Sequence, residues 1–543
     1  MKNPNTKRDK AGDRKIAVID LETDPFLWGR KPEAFAAGFY DGEQYAEFWG
    51  CDCVHLLLEY LSSLETDYLI YAHNGGKFDF YYLLEHGAIE NPIRVIGGRI
   101  VSAKLGRHEL RDSYAILPIP LSAYEKEKVD YATFEKEVRD THRSDILHYL
   151  SKDCEYLFEL VFAFLNRFGP KLTIGGAAMA EIKKHHPFEP LRARHDELFR
   201  PYYYGGRVQC FAAGINHGAY KVYDVNGMYP HVMRDFEHPR GRDYYHITKC
   251  KPDDIQADGM YKKYPDYPYF MTFTGTNKNA LPIRTKSGLD FSCTEGEFSS
   301  CSHEIKIALK YGLITIDKIT EIIVFPETQN FATFVDLYSS EKASAKLRGD
   351  KAGYIFAKLI QNSGYGKYGQ NPDNYFDYFL RYPDEPTPPD NYDLYLDYGG
   401  IEIWREKSNS IIYYDVSVAA SITSAARAVL LEALQTANGA MYCDTDSIIC
   451  ESLSGVEFDP VKLGAWDLEA EGDTLAVAGK KLYALTKNGE CVKSASKGVR
   501  LEHHEIIKIA RGDEHHYRHD APNFKLSGAV KFTDRNIRAT NNC

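Results

Sequence analysis

The chain has 543 residues, 44% of them apolar and 26% charged, which is room for two to four domains with ordinary cores. No uninterrupted apolar run approaches bilayer length, since even Leu157–Leu165 carries Glu159, and the polar, basic first residues lack a signal-peptide core; this reads against a membrane or secreted protein. The net charge of −11 decides little about partners, because residues 476–543 hold 13 Lys and Arg against 7 Asp and Glu. Eleven scattered cysteines without a Cys-x-x-Cys pair read as reduced thiols of a cytoplasmic protein, not as zinc ligands or disulfides.

Residues 1–14 read as a disordered basic leader. From Lys15 the pattern alternates strand and helix: apolar runs at Ile16–Ile19 and Asp67–Ala72, a helix over Phe78–His86, and strands across Ile93–Tyr114 turning at Gly97-Gly98. A long helix is predicted over Ser144–Phe168 with Ser144 as its N-cap, and Gly169-Pro170 and Gly175-Gly176 mark a boundary, giving a first domain over 15–170. Beyond it, Tyr- and Pro-rich stretches at Asp243–Pro268 and Asp373–Asp397 look inserted into something more regular. A Lys-rich helical region spans Phe331–Tyr368, and Val416–Ala437 reads as an Ala-rich helix suited to close packing.

Two groups of acids carry the chemistry. Asp20 and Glu22 are two apart on a predicted strand, so they leave the same face, and Asp79 closes the run Asn74-Gly-Gly-Lys-Phe78. Tyr149 and Asp153 stack at i and i+4 on the long helix. Alone, an Asp-x-Glu is commonly a solvated turn and a Tyr/Asp pair a surface pair. Together they form a charge density that asks for cations, and two Mg²⁺ about 3.5–4 Å apart activate a water at a phosphodiester.

The second group begins at Asp224 in Tyr223-Asp-Val-Asn-Gly-Met-Tyr229-Pro230 and returns about 220 residues later in Tyr442-Cys-Asp444-Thr-Asp446-Ser447, a hairpin whose tip carries two acids. A bound cation is the economical explanation of such a costly tip, and standing alone the tip reads equally as a hydrophilic turn. Between them, Lys358, Asn362 and Tyr365 share one helix face, an ammonium, an amide and a ring suited to a triphosphate, a sugar and a base; Lys346 and Lys351 extend the basic strip. No GxxxxGK[ST] loop is present, which excludes a P-loop NTPase.

In this order the motifs resemble family B DNA polymerases with a proofreading 3′–5′ exonuclease, and within them the protein-primed subgroup of linear-genome phages and plasmids. Asp20-Leu-Glu22, Asn74…Phe78-Asp79 and Tyr149-x-x-x-Asp153 match the exonuclease motifs; Tyr203-Tyr-Gly205-Gly206 matches the linker motif; Asp224–Pro230, Lys358–Gly366, Tyr442–Ser447 and Lys481-Leu-Tyr483 match the polymerase motifs. The short chain, the segment Asp459–Trp466 and the two insertions resemble the subgroup in particular.

The resemblance implies an α/β plus α+β chain, an RNase H-like exonuclease domain over 15–170 followed by a right-hand polymerase domain over 171–543. That domain divides into palm (about 190–234 and 413–475), first insertion (about 235–330), fingers (about 331–371), second insertion (about 372–412) and thumb (about 476–543). It implies that Asp224, the Val225 carbonyl and Asp446 hold two polymerase metals beside Asp444, that Tyr229 excludes ribonucleotides, and that Lys346, Lys358, Asn362 and Tyr365 bind dNTP. It makes Asp20, Glu22, Asp79 and Asp153 exonuclease metal ligands, with Tyr149 orienting water. Asn74, Phe78, Ser113 and Lys126 are then expected at the frayed 3′ end, and Tyr203, Gly205, Gly206, Lys481 and Tyr483 at primer-template DNA.

The cofactors implied are two Mg²⁺ per active site, with Mn²⁺ as a substitute. The partners implied are primer-template DNA, dNTPs, a terminal priming protein and a single-stranded-DNA-binding protein, around a monomer. A DNA-primed polymerase of the same fold, a nuclease whose second half only binds DNA, and a silent DNA-binding scaffold are the competing readings. Gly227 and Gly364 depart from the family's usual Ser and bulkier apolar residue, and Gly364 is expected to loosen packing around the incoming base.

Overall fold

Buried β-branched and aromatic runs set the first layer. In the computed structural model, which describes residues 14–124, 129–189, 193–371, 375–406 and 414–540, Lys15–Thr23 and Tyr68–Ala72 are parallel neighbours, and Tyr68–Ala72 is in turn parallel to His108–Asp112. Residues 1–13 of the expected leader and Lys126 lie outside the described residues. The antiparallel strands Ala34–Tyr40 and Tyr45–Trp49 complete one side of this sheet, and Arg99–Leu105 and Glu90–Ile96 the other. The long helix Arg143–Phe168 lies across it, burying Ile146, Leu150, Leu157, Leu160 and Phe164. It starts one residue before the predicted N-cap: His142 occupies that position, and no side chain caps the end.

The sheet does not stop where the first domain was expected to end. Tyr375–Arg381, from the expected second insertion, pairs antiparallel with Glu90–Ile96, and Ile401–Glu406 and Tyr392–Tyr398 follow, making ten strands in all. Arg94 grips both Asp377 oxygens at 2.9 and 3.1 Å, and the Asn91 amide exchanges hydrogen bonds with the Leu380 backbone at 2.7 and 2.9 Å. Strand pairing of this range depends on two segments almost 300 residues apart, which local patterning does not report.

Two expected boundaries move. Gly175-Gly176 is not a break but the first turn of the helix Ile174–His185, capped by Thr173 Oγ1 accepting from Gly176 N at 3.0 Å. Residue 476 lies inside the strand Trp466–Gly479, so the separate C-terminal unit begins after Glu490–Ser496. Those strands and Leu482–Lys487 belong to a seven-stranded antiparallel sheet with Gly214–Val225, Ser447–Cys450, Tyr442–Asp444 and Val208–Cys210. The C-terminal unit is the helix His503–Ala510 and the hairpin His515–Phe524/Val530–Ile537.

The expected first insertion builds its own four-stranded sheet around Tyr269–Thr276 and the helix Ser302–Lys310. The Lys-rich region is two helices, Ala332–Arg348 and Lys351–Tyr368, reversing at Gly349 with φ 69°. Val416–Thr436, capped by Asp415, is the one described helix long and apolar enough to cross a membrane. In this molecule 89% of that stretch is buried, with Ala, Ser and Thr letting neighbours approach on every face. Its core also takes in the long helix of the first domain and both Lys-rich helices.

Candidate active sites

The first acidic site is built by the C-terminal half of the strand Lys15–Thr23 and the long helix. Asp20, Glu22 and Asp153 each bring a carboxylate oxygen within 4.8 Å of the others. Asp79 begins the helix Asp79–Glu85 and accepts from Leu21 N at 3.2 Å, which ties the second motif to the first. Burial, then the neighbouring carboxylates, hold Asp20 and Glu22 well above the usual carboxylate range, and burial lifts Asp79 to about 7. In a cluster this crowded, a hard divalent cation would displace the shared protons into solvent and hold the carboxylates charged. Tyr149 is buried beside it, its hydroxyl 3.5 Å from that of Tyr131, and burial raises it far above an ordinary phenol.

Around this cluster, Asn74 sits at φ 61° with Oδ1 accepting from Arg99 Nη1 at 2.7 Å, and the same nitrogen reaches Asp112 at 2.5 Å. Phe78 lies between Phe26, at 5.6 Å, and Phe524 of the C-terminal hairpin, at 5.7 Å. Ser113 is not on this surface. It is fully buried, its hydroxyl donating to the Ala72 carbonyl at 3.2 Å and hydrogen-bonded to His73 Nδ1 at 3.0 Å, so a direct grip on a strand end requires movement.

The second site lies at the meeting of Gly214–Val225 with the Tyr442–Asp444/Ser447–Cys450 hairpin, where Asp224 is opposite Ser447 and Val225 N donates to the Asp446 carbonyl at 2.8 Å. Thr445 turns the tip at φ 58°. The three acids divide by environment. Asp444 is occupied: Lys481 Nζ holds it at 2.7 Å, with Thr445 at 3.0 Å and the Tyr442 hydroxyl at 3.4 Å. Asp224 is raised to about 7 by burial and then by Asp446, and Asp446 to about 6 by burial and then by Asp444. Lys493, the cation acting on Asp224, is instead ion-paired with Glu469 at 2.7 Å. Asp224 and Asp446 therefore form the under-neutralised pair, a donor set that fits divalent metals.

Facing them, Tyr229 stacks on Tyr365 at 3.8 Å and 12°. Lys358 and Asn362 are exposed on the same helix face, and Lys346 is exposed on the last turn of the preceding helix. One turn before it, Lys342 is half-buried and pushed down by burial and by Lys358, a second ammonium that the sequence reading passed over. The linker glycines do different things. A Cβ on Gly205 would meet nothing within 4 Å, whereas one on Gly206 would lie 2.7 Å from Thr445 Oγ1, so glycine is what allows the linker to touch the hairpin tip. Tyr203 is half-buried against Gly369. Tyr483 is buried against the Tyr442 ring at 4.9 Å, so it supports the hairpin from below and is not offered to DNA.

The departures also acquire reasons. Gly227 starts the helix Met228–Asp235 at φ 63°. Gly364 does not face the base side: a Cβ there would be 2.4 Å from Ile182 Cδ1, so glycine lets its helix close on Ile174–His185.

Compared with known proteins, the family described as DNA polymerase type B, organellar and viral, matches residues 120–394. The DNA-directed DNA polymerase of Enterobacteria phage PRD1 is 42% identical over 575 aligned positions, covering 99% of this chain and all of that one. The chain belongs to the organellar and viral type B DNA polymerases. The DNA polymerase of Bacillus phage Nf is 25% identical over 68% of this chain and 66% of its own. Among solved structures, Phi29 DNA polymerase complexed with primer-template DNA superposes with a TM-score of 0.73 at 18% identity, over 97% of this chain and 100% of that one. Its ternary complex with incoming nucleotide substrates gives 0.72 over the same shares. These likenesses show the fold of this type B polymerase over 97% of the chain.

Proposed function

We propose that this type B polymerase copies a DNA template by nucleotidyl transfer at the Asp224/Asp446 site and removes mispaired 3′ ends at the Asp20/Glu22/Asp79/Asp153 site. The observation that supports this best is the presence of two separate, under-neutralised carboxylate clusters, one beside a stacked tyrosine pair and exposed Lys358, the other beside buried Tyr149. When bound, Mg²⁺ at either cluster supplies Lewis-acid stabilisation of phosphoryl oxygens.

The residues do the rest. Lys358, Lys342 and Lys346 receive the triphosphate, and Asn362 and Tyr365 place the nucleotide. Tyr229 fills the space a 2′-hydroxyl would need, so that a primer 3′-hydroxyl attacks the α-phosphate of a dNTP and pyrophosphate leaves. In the first site Tyr149 orients the water, while Asn74 and Phe78 hold the last nucleotides. Initiation from a hydroxyl of a separate terminal protein, and strand displacement aided by the second insertion, complete the reading; their support is the subgroup's insertions and the likeness to the PRD1 polymerase.

The test is a 5′-labelled primer on a longer template with Mg²⁺. Extension with dNTPs and shortening without them is expected from the wild type; Asp446→Ala should abolish only the first and Asp20→Ala only the second. Loss of both activities in folded Asp446→Ala overturns the two-site assignment. Shortening alone in the wild type favours a nuclease, and no change favours a scaffold.

A further inference from the structure

The linker Tyr203–Gly206 is fastened by cations that the sequence reading did not mark. Arg427, on the buried helix Val416–Thr436, is 2% exposed, and Glu304, on the first insertion's helix, is fully buried. They form a two-pronged pair, Nε to Oε1 at 2.8 Å and Nη2 to Oε2 at 2.6 Å. The remaining arm of the guanidinium, Nη1, donates to the carbonyls of Tyr204 and Gly205, both at 2.9 Å. Arg284, also from the first insertion, donates to the Tyr203 carbonyl at 2.7 Å. Two consecutive linker carbonyls, of Tyr204 and Gly205, are thus drawn inward by a buried guanidinium, and a third, of Tyr203, is held at the surface by Arg284.

The next residue continues the chain of contacts. The Arg207 carbonyl accepts from Thr445 N at 2.7 Å, at the tip between Asp444 and Asp446, and Arg207 Nη2 donates to the first insertion's Asn279 carbonyl at 2.7 Å. The linker is therefore held on one side to the first insertion and abuts the catalytic hairpin on the other. Its Gly205 has open space where a side chain would be.

We propose that Arg427 and Glu304 are positioning residues for primer-template DNA: through them and Arg284, the first insertion sets the linker backbone against the Asp444–Asp446 tip. This rests on the polymerase reading. The physical case has two parts. Carbonyls turned inward leave the linker free of outward-facing partial negative charge where DNA phosphates pass. Moreover, a planar guanidinium serves the carboxylate and two carbonyls at once, which a lysine does not. The buried pair is not explained by stability alone, because buried ion pairs are commonly replaced by apolar residues without loss of stability.

The test uses the full chain and a short primer-template duplex. In Glu304→Leu/Arg427→Met, the dissociation constant for primer-template is expected to rise about tenfold, the equivalent of losing one charge-assisted hydrogen bond. Extension should shift toward shortening, while degradation of single-stranded DNA and the unfolding temperature stay near wild type. Arg427→Lys should fall between. Unchanged primer-template affinity, or an equal loss of single-strand degradation, overturns the proposal.

Should the double variant fail to fold, Arg284→Ala, whose side chain is exposed, gives the decision: weakened duplex binding is expected, and wild-type binding refutes the clamp. Affinity is read by gel shift without catalysis. A wild type that binds duplex but never extends it would refute the polymerase reading and leave the clamp measurable.

Discussion

At the scale of single residues, the acids of the second site are sorted by what touches them. Lys481 and Tyr442 satisfy Asp444, whereas Asp224 and Asp446 repel one another in a partly buried site, so the pair left over is the one we propose as the metal-holding pair. The tyrosine stack above them makes a specific prediction. Tyr229→Val should increase ribonucleotide incorporation by at least about tenfold, because the clash that rejects a 2′-hydroxyl is gone; unchanged sugar selection in primer extension assays would remove Tyr229 from that role. Gly206 gives another. A methyl there would lie 2.7 Å from Thr445 Oγ1 and must push the hairpin tip, so Gly206→Ala should cut extension by at least about tenfold while single-strand degradation continues. Both were named from sequence, but only the packing says that Gly206 acts on the hairpin and Gly205 does not.

At the scale of elements, the C-terminal hairpin and the second insertion are both spent on the first domain. Phe524 stacks on Tyr81 at 5.3 Å and 16° and touches Phe78 and Tyr82; Arg518 lies 4.5 Å over Trp28, whose ring meets Phe532. Truncating a buried ring in such a cluster costs about 3 kcal/mol. Phe524→Ala should therefore speed hydrogen exchange in 515–537 and leave the seven-stranded sheet protected; uniform loss of protection would mean the hairpin is not an independent docking element. These contacts were invisible to patterning because aromatic residues at alternate strand positions fit any apolar surface, and nothing local says which one.

At the scale of the whole molecule, the first and second domains share a core, and a buried polar knot sits within it. His238 Nε2 donates to the Val232 carbonyl at 2.9 Å, which leaves its Nδ1 to accept from Ser421 Oγ at 2.9 Å, while His303 Nε2 approaches the same serine at 3.2 Å. Burial pushes His238 down to about 4 and His303 down to about 3. Because the folded state binds these protons more weakly than the unfolded chain, stability is complete above pH 6.5 and declines as pH falls toward 4. At pH 5 the loss is about 2 kcal/mol for His238. The unfolding temperature should drop between pH 7.5 and 5 more steeply in the wild type than in His238→Gln; equal slopes would place the acid sensitivity elsewhere.

The sequence alone determined the order of the motifs, the two acid clusters and the strand or helix character of the segments that carry most of them, because those depend on residue type and spacing within a few turns of chain. Asp20 and Glu22 share a strand face by period two, and Lys358, Asn362 and Tyr365 share a helix face, whatever the rest of the chain does. The tertiary structure decided what those residues rest on: that Ser113 and Tyr483 are buried, that Gly364 serves helix packing, that residues 375–406 extend the first domain's sheet, and that Arg427 and Glu304 hold the linker. These depend on which distant segments meet, and a buried guanidinium finds its carboxylate 123 residues away only once the fold has excluded water around both.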